Sequence, residues 1–278
     1  MKQPKFRKLP RAIAIDLDGT LLNSSLQISS RNIRALKTCF AANIPVILAT
    51  ARAERGVRRL CVTDVLDKCS LVLSNGAIVK GVPPLSGFHK QQLASGLTRK
   101  IVDLVRNYDS NVRITIEIEG LDFGTDWQWD PVSLWETNSA TPDMVISIDE
   151  AIAREPMKVS VAGVGKNLIG LIEELRKELK DKIAIIPSEN NTFLNIVDPM
   201  SSKPNALRKL LEPQGISLNE VLAFGDDFPD VDMLKECGIS VAMANAFPEV
   251  KAVCKYETAS NDEDGVAQVL EKLLSTIM

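Results

Sequence analysis

Short apolar runs, each stopping abruptly at a polar residue, set the rhythm of the first eighty residues. Ala12 to Ile15 stop at Asp16, "IPVILATAR" breaks at Thr50, and "SLVLSNGAIV" runs into Asn75-Gly76. Such short continuous runs predict strands buried on both faces. Between the first two, "SSRNIRALKTCFAAN" places Ile33, Leu36, Cys39 and Phe40 at helical spacing, with Ser29 or Ser30 as its N-cap. A short helix is predicted after Thr50. The resulting order, β-α-β-α-β, is that of a doubly wound parallel sheet, an α/β (Rossmann-like) core. Ligands of such sheets bind outside the carboxyl ends of the strands. Asp16, Asp18, Thr50 and Asn75 all fall at such ends.

The pattern changes near Lys80. "GVPPLSG", residues 81–87, is rich in proline and glycine and reads as a linker. Beyond it, "VRITIEIEG" alternates Val112, Ile114, Ile116 and Ile118 with Arg113, Thr115, Glu117 and Glu119. Strict alternation predicts an antiparallel strand with one buried face and one wet face. Mixed helix and strand patterns continue to about residue 199, and the α/β rhythm then returns. "SSKPNALRKLLEPQGI" is a helix with Pro204 in its first turn, "VLAFGDD" a strand tip, "PDVDMLKECG" a short helix and "SNDEDGVAQVLEKLL" an amphipathic one. Residues 1–80 plus 200–278 are therefore expected to form the core, and 81–199 an inserted α+β domain. The stretches 81–87 and 198–202 would act as the hinge.

At 278 residues the chain is long enough for two domains. Its net charge of −3 implies no attraction to nucleic acid or to an anionic membrane. The basic opening "MKQPKFRKLPR" precedes too short an apolar run for a secretory signal, and no stretch is apolar enough to span a bilayer. A cytoplasmic protein is expected. Five scattered cysteines, Cys39, Cys61, Cys69, Cys237 and Cys254, match no metal template and read as reduced thiols. A single histidine, His89, rules against multi-histidine metal sites and a Ser-His-Asp triad; it reads as a polar linker residue. Hydrolytic chemistry would have to run on carboxylates, lysine or threonine. Nothing in the sequence reports the oligomeric state.

Two acids directly behind a core strand concentrate negative charge where it is unfavourable, and a metal ion would explain both. Asp226 and Asp230 follow a second strand tip, and Lys203 opens a helix. In order and type these segments resemble the haloacid dehalogenase superfamily of phosphohydrolases. "DLDGTLL" matches its first motif, "LATAR" its second, "SSKPNAL" its third and "GDDFPDVDML" its fourth. The inserted domain resembles the cap of the Cof-type branch, as do the phrases "SNGA", "AMANA" and "SNDEDGVA".

That resemblance implies a Mg²⁺-dependent phosphatase acting on a small phosphorylated metabolite. Asp16 would be the nucleophile, forming an aspartyl-phosphate, and Asp18 the general acid and base. Mg²⁺ would be held by Asp16, the backbone carbonyl of Asp18, and Asp226. Thr50 and Lys203 would bind the phosphoryl group, Arg52 and Asn75 could contact substrate, and Asp230 would orient Lys203 or a metal-bound water. Three positions depart from the family pattern: Ala51, Pro204 and Pro229. Ala51 and Pro229 motivate a catalytically weak phosphometabolite-binding regulator as one alternative; a sugar phosphomutase is the other. "GVGKN", residues 163–167, lacks the spacing of a P-loop and reads as a turn. Trp127, Trp129 and Trp135 lie within one short segment and would either pack the cap or form an aromatic wall for the leaving group.

Overall fold

A computed structural model describes residues 4, 6 and 8–275; part of the basic opening and residues 276–278 lie outside the described residues. The chain divides into two compact units. One runs up to Ala51, then Leu60–His89 and from Lys203 onward; the other comprises Arg52–Arg59 and Lys90–Ser202.

The first unit is built on a sheet ordered Tyr256–Glu257, Ile239–Ala242, Val221–Gly225, Ala12–Ile15, Val46–Ala49, Cys69–Leu73, Ile78–Lys80 and Phe88–Lys90. Its first six strands pair in parallel, and Ile78–Lys80 returns antiparallel to Cys69–Leu73. Ranked by chain order, those six strands lie 3-2-1-4-5-6, so the winding reverses between Ala12–Ile15 and Val221–Gly225. This reversal opens a crevice at the carboxyl ends. Ala12 and Ala14 bury one way, against Ala206, Leu207 and Leu210 of the helix Lys203–Leu211. Alternation along the strand turns Ile13 and Ile15, also fully buried, to the opposite face. The helices Ser30–Ala41 and Gly265–Leu274 pack together, and Ser29 caps the first by accepting from the Asn32 N–H.

The linker-like stretch is not free chain. Leu85 is 1% exposed and sits in the same core cluster as Val72, Val79 and Leu210, while Gly81 N–H bonds the Gly87 carbonyl at 2.8 Å. Residues 81–89 therefore stay with the first unit, against the expected boundary at 80. His89 lies exposed in the edge strand.

The second unit carries a six-stranded sheet ordered Ala184–Ser188, Phe193–Val197, Lys158–Ala162, Arg113–Glu117, Phe123–Thr125 and Val145–Ile146. All its pairs are antiparallel except the last. Helices Leu97–Tyr108 and Ile169–Leu179 cover one face with Ile101, Val105, Leu171 and Leu175 against Ile114, Ile116, Val159 and Val161. The opposite face was expected to be wet. It is polar but buried: Thr115, Glu117, Lys158, Ser160 and Asn195 are each less than a tenth exposed. Pairing makes this tolerable, because buried polar groups must be bonded. Ser160 Oγ donates to Asn195 Oδ1 at 3.2 Å, and Arg55 donates to both oxygens of Glu117 at 2.6 and 2.7 Å.

Arg55 also explains why the segment after Thr50 leaves the first unit. Its Nε donates to the Asn138 carbonyl at 2.9 Å, and its guanidinium lies 4.1 Å from the Phe123 ring centroid. Arg59 bonds the Trp135 carbonyl and stacks on the Trp135 ring, while Arg113 stacks on Trp127. Trp129 packs into a small apolar cluster with Phe123, Leu134 and Ala140. The residues 163–167 form a turn, as expected, with Lys166 paired to Asp109 at 2.9 Å.

Candidate active site

The Ala12–Ile15 strand delivers Asp16 to the crevice, where its N–H bonds the Phe224 carbonyl of the neighbouring strand at 3.2 Å. The chain then turns sharply through Leu17–Leu21. Asp18 is extended there (φ −75°, ψ 124°) and half-buried, while Gly19 is left-handed at φ 72°. Glycine is needed for more than its dihedral freedom. A Cβ on Gly19 would lie 2.2 Å from Asp226 Oδ2, so the Asp226 carboxylate rests directly on the turn. Thr20 fastens the same contact, donating to Asp226 Oδ1 at 2.6 Å.

Asp226 follows the Val221–Gly225 strand, and the next turn is closed by Asp227, which accepts from the Phe228 N–H at 2.7 Å. Pro229 lies in that turn, where its fixed φ and missing N–H suit the first turn of a helix. Asp230 is 1% exposed, with Oδ2 accepting from the N–H groups of Asp226 and Asp227 at 3.0 and 3.2 Å. Lys203, 3% exposed, stands at the start of its helix, an unfavourable end for a cation by the helix dipole alone. Its Nζ donates to Asp16 Oδ1 at 2.6 Å and to Asp230 Oδ1 at 2.5 Å. Burial alone would lower the lysine pKa; Asp16 and Asp230 more than offset it, so Lys203 stays charged.

The carboxylates are less well balanced. Asp16 is pushed well above the ordinary carboxylate range, first by burial, then by the charge of Asp230, with Lys203 pulling the other way. Burial pushes Asp226 up to about 7. Oxygen atoms of Asp16, Asp226 and Asp230 lie within 4.8 Å of one another, and the Lys203 ammonium bonds two of the three carboxylates, Asp16 and Asp230. An all-oxygen set with surplus negative charge, on a turn that a single Cβ would fill, fits a hard divalent cation.

Thr50 is fully buried at the end of Val46–Ala49, and its carbonyl accepts from the Asn75 N–H at 3.1 Å. Asn75 is left-handed at φ 58° and 2% exposed, and neither its Oδ1 nor its Nδ2 makes a hydrogen bond among the described residues. A buried amide with both ends unsatisfied calls for an explanation, and a ligand group is one. The first unit thus contains Asp16, Asp18, Thr50, Asn75, Lys203, Asp226 and Asp230. Arg52 belongs by its contacts to the second unit, where its side chain lies against Gly56. Thr20 and Asn245 were not among the expected site residues. The Thr of "DLDGT" and the Asn of "AMANA" lay inside motif phrases, but nothing local marked the long-range bonds they make.

A family model described as haloacid dehalogenase-like hydrolase matches residues 13–270. A 5-amino-6-(5-phospho-D-ribitylamino)uracil phosphatase of Bacillus subtilis is 30% identical over 291 residues, spanning 95% of this chain and 98% of that protein. A phosphoglycolate phosphatase of Archaeoglobus fulgidus is 28% identical over 268 residues, covering 95% and 97%. Among solved structures, a haloacid dehalogenase-like hydrolase from Bacteroides thetaiotaomicron superposes with a TM-score of 0.81 at 29% identity, over 96% of this chain and 100% of that one. Among the described residues no helix is long and apolar enough to cross a membrane.

Proposed function

The chain belongs to the haloacid dehalogenase-like hydrolases and is a phosphatase in class, and on that premise we propose that it is a magnesium-dependent phosphomonoesterase working through Asp16. The observation that carries the reading is the cluster of buried Asp16, Lys203 and Asp230 with half-buried Asp226 at the point where the winding of the sheet reverses. A carboxylate and a phosphate monoester repel each other, so attack requires charge compensation and alignment. Lys203 supplies one fixed positive charge and holds Asp16 Oδ1, which leaves Oδ2 to attack phosphorus. Asp230 holds Lys203 in turn.

Mg²⁺ would be held by Asp16, Asp226 and the backbone carbonyl of Asp18, and when bound supplies the remaining compensation of negative charge. Asp230 is a support rather than a ligand, since Lys203 occupies one of its oxygens and two backbone N–H groups the other. In the first half-reaction an Asp16 oxygen bonds to phosphorus as the ester P–O bond breaks, and Asp18 gives its proton to the leaving oxygen. In the second, Asp18 takes a proton from water as that water attacks phosphorus. The bond to Asp16 breaks and inorganic phosphate leaves. Thr50 and the unsatisfied Asn75 amide offer hydrogen bonds to phosphoryl oxygens. The second unit would select the leaving group. The B. subtilis and A. fulgidus relatives stand at nearly equal identity and carry names of different substrates, so overall likeness does not choose one.

Phosphate release is measured with Mg²⁺ from p-nitrophenyl phosphate and from a panel of sugar, nucleotide and cofactor phosphates. Wild type is expected to turn over, Asp16→Asn to be inert, and a chelator to stop wild type until Mg²⁺ is restored. Near-normal turnover by Asp16→Asn would overturn the assignment of the nucleophile.

A further inference from the structure

We propose that Asn245 is a positioning residue for the general acid, acting through the Gly19 carbonyl. The inference rests on the role assigned to Asp18 above. Asn245 Nδ2 donates to the Gly19 carbonyl at 2.8 Å, and its Oδ1 accepts from the Asn261 N–H at 3.1 Å. A carbonyl on one side and an N–H on the other allow only one orientation of the amide. Asn261 extends the clasp, its Nδ2 donating to the Leu22 carbonyl at 2.9 Å. Asp262 completes it, accepting from the N–H and the Oγ of Ser24 at 2.7 and 2.6 Å. The turn that carries Asp18 is thus pinned at three points by segments more than 220 residues further along the chain.

The Gly19 anchor matters most for chemistry. Glycine has no side chain and the widest conformational freedom of any residue, so nothing of its own holds the peptide planes on either side of it. Two outside contacts hold them instead. Thr20, the next residue, is tied to Asp226, and the Gly19 carbonyl is tied to Asn245. Releasing that carbonyl lets the 19–20 peptide rotate, and Asp18, one residue before, loses its alignment with the leaving oxygen. The carboxylate of Asp16 is not affected, because its own strand and Lys203 hold it.

The consequence is a defect that depends on the leaving group. Phenyl phosphate and p-nitrophenyl phosphate have the same ring, but p-nitrophenolate leaves as a stable anion whereas phenolate needs a proton. In Asn245→Ala, kcat/KM for phenyl phosphate is expected to fall on the order of tenfold or more, and for p-nitrophenyl phosphate by less than about threefold. Asn245→Asp keeps the size and can still accept from Asn261, but turns an acceptor toward the Gly19 carbonyl; it should show the same selective loss. Asn245 is exposed, so neither variant opens the core, and both esters are measured on one preparation. An equal fall with both esters, or no fall, overturns the proposal. Asp18→Asn is the control. If it lowers both esters equally, the role given to Asp18 fails; if it discriminates while the Asn245 variants do not, only this inference fails.

Discussion

The ion pair between Arg55 and Glu117 holds the second unit together in a way that can be weighed. Its side chains are 4% and 8% exposed and make two bonds of 2.6 and 2.7 Å. Water screens such a pair little, and removing one partner leaves a charge in a medium that solvates it poorly. The two truncations are not equivalent. Strand register sets Lys158 directly opposite Glu117, on the same face of the sheet. Arg55→Met therefore leaves Glu117 facing a second cation, whereas Glu117→Leu takes from the buried Arg55 the carboxylate that both its terminal nitrogens hold. Glu117→Leu is expected to destabilise by about 3–5 kcal/mol and Arg55→Met by less, on the order of 1–2 kcal/mol. The double variant should lose clearly less than the sum, with a coupling of about 1–3 kcal/mol.

Urea unfolding followed by tryptophan fluorescence measures this in the right place, because Trp127, Trp129 and Trp135 all lie in the second unit. A pH arm gives an independent sign. Burial alone would raise the Glu117 pKa, but Arg55 more than offsets it and holds the carboxyl below its ordinary value of 4.5. A depressed carboxylate contributes stability that is present above its unfolded pKa and lost as pH falls through the folded one. Wild type should therefore lose stability below about pH 4.5 that Glu117→Leu does not lose. Single variants within about 1 kcal/mol of wild type, or strict additivity, would refute the reasoning and mean that the pair is screened like a surface one.

Gly19→Ala places a methyl group 2.2 Å from Asp226 Oδ2 at a left-handed φ, so Asp226 must rotate and give up Thr20. Phosphate release should fall by at least about a hundredfold with about 1–3 kcal/mol of destabilisation, and an active Gly19→Ala enzyme would show that the turn has slack. Burial pushes the Cys39 and Cys237 thiols up to about 12, so at pH 8 they are almost entirely protonated. An aromatic disulfide reagent should leave both unlabelled in the native protein and label all five cysteines in denaturant; rapid native labelling of either, mapped by peptide mass, would contradict that burial.

Legibility in the sequence followed the range of the interactions. The strands Ala12–Ile15, Val46–Ala49 and Val221–Gly225 could be read locally, because a short apolar run ended by an acid or a threonine is a property of neighbouring residues. The convergence of Asp16, Lys203 and Asp226 was legible only through the order of four motifs, since each is unremarkable alone. Alternation in "VRITIEIEG" was read correctly as a strand and wrongly as half-wet. Polarity stands in for exposure only when no partner is available, and Glu117 finds Arg55 across 62 residues of sequence. The same blindness hid Leu85, an apolar residue among prolines and glycines that anchors what looked like a linker. It also hid Asn245, whose amide reaches Gly19 across 226 residues. These misses have one cause. A local pattern shows which way a side chain faces along its own element, while the groups it meets there are set by topology. The contacts that hold a reactive turn in place are therefore the part of a site that sequence reads last, even where its reactive groups are read first.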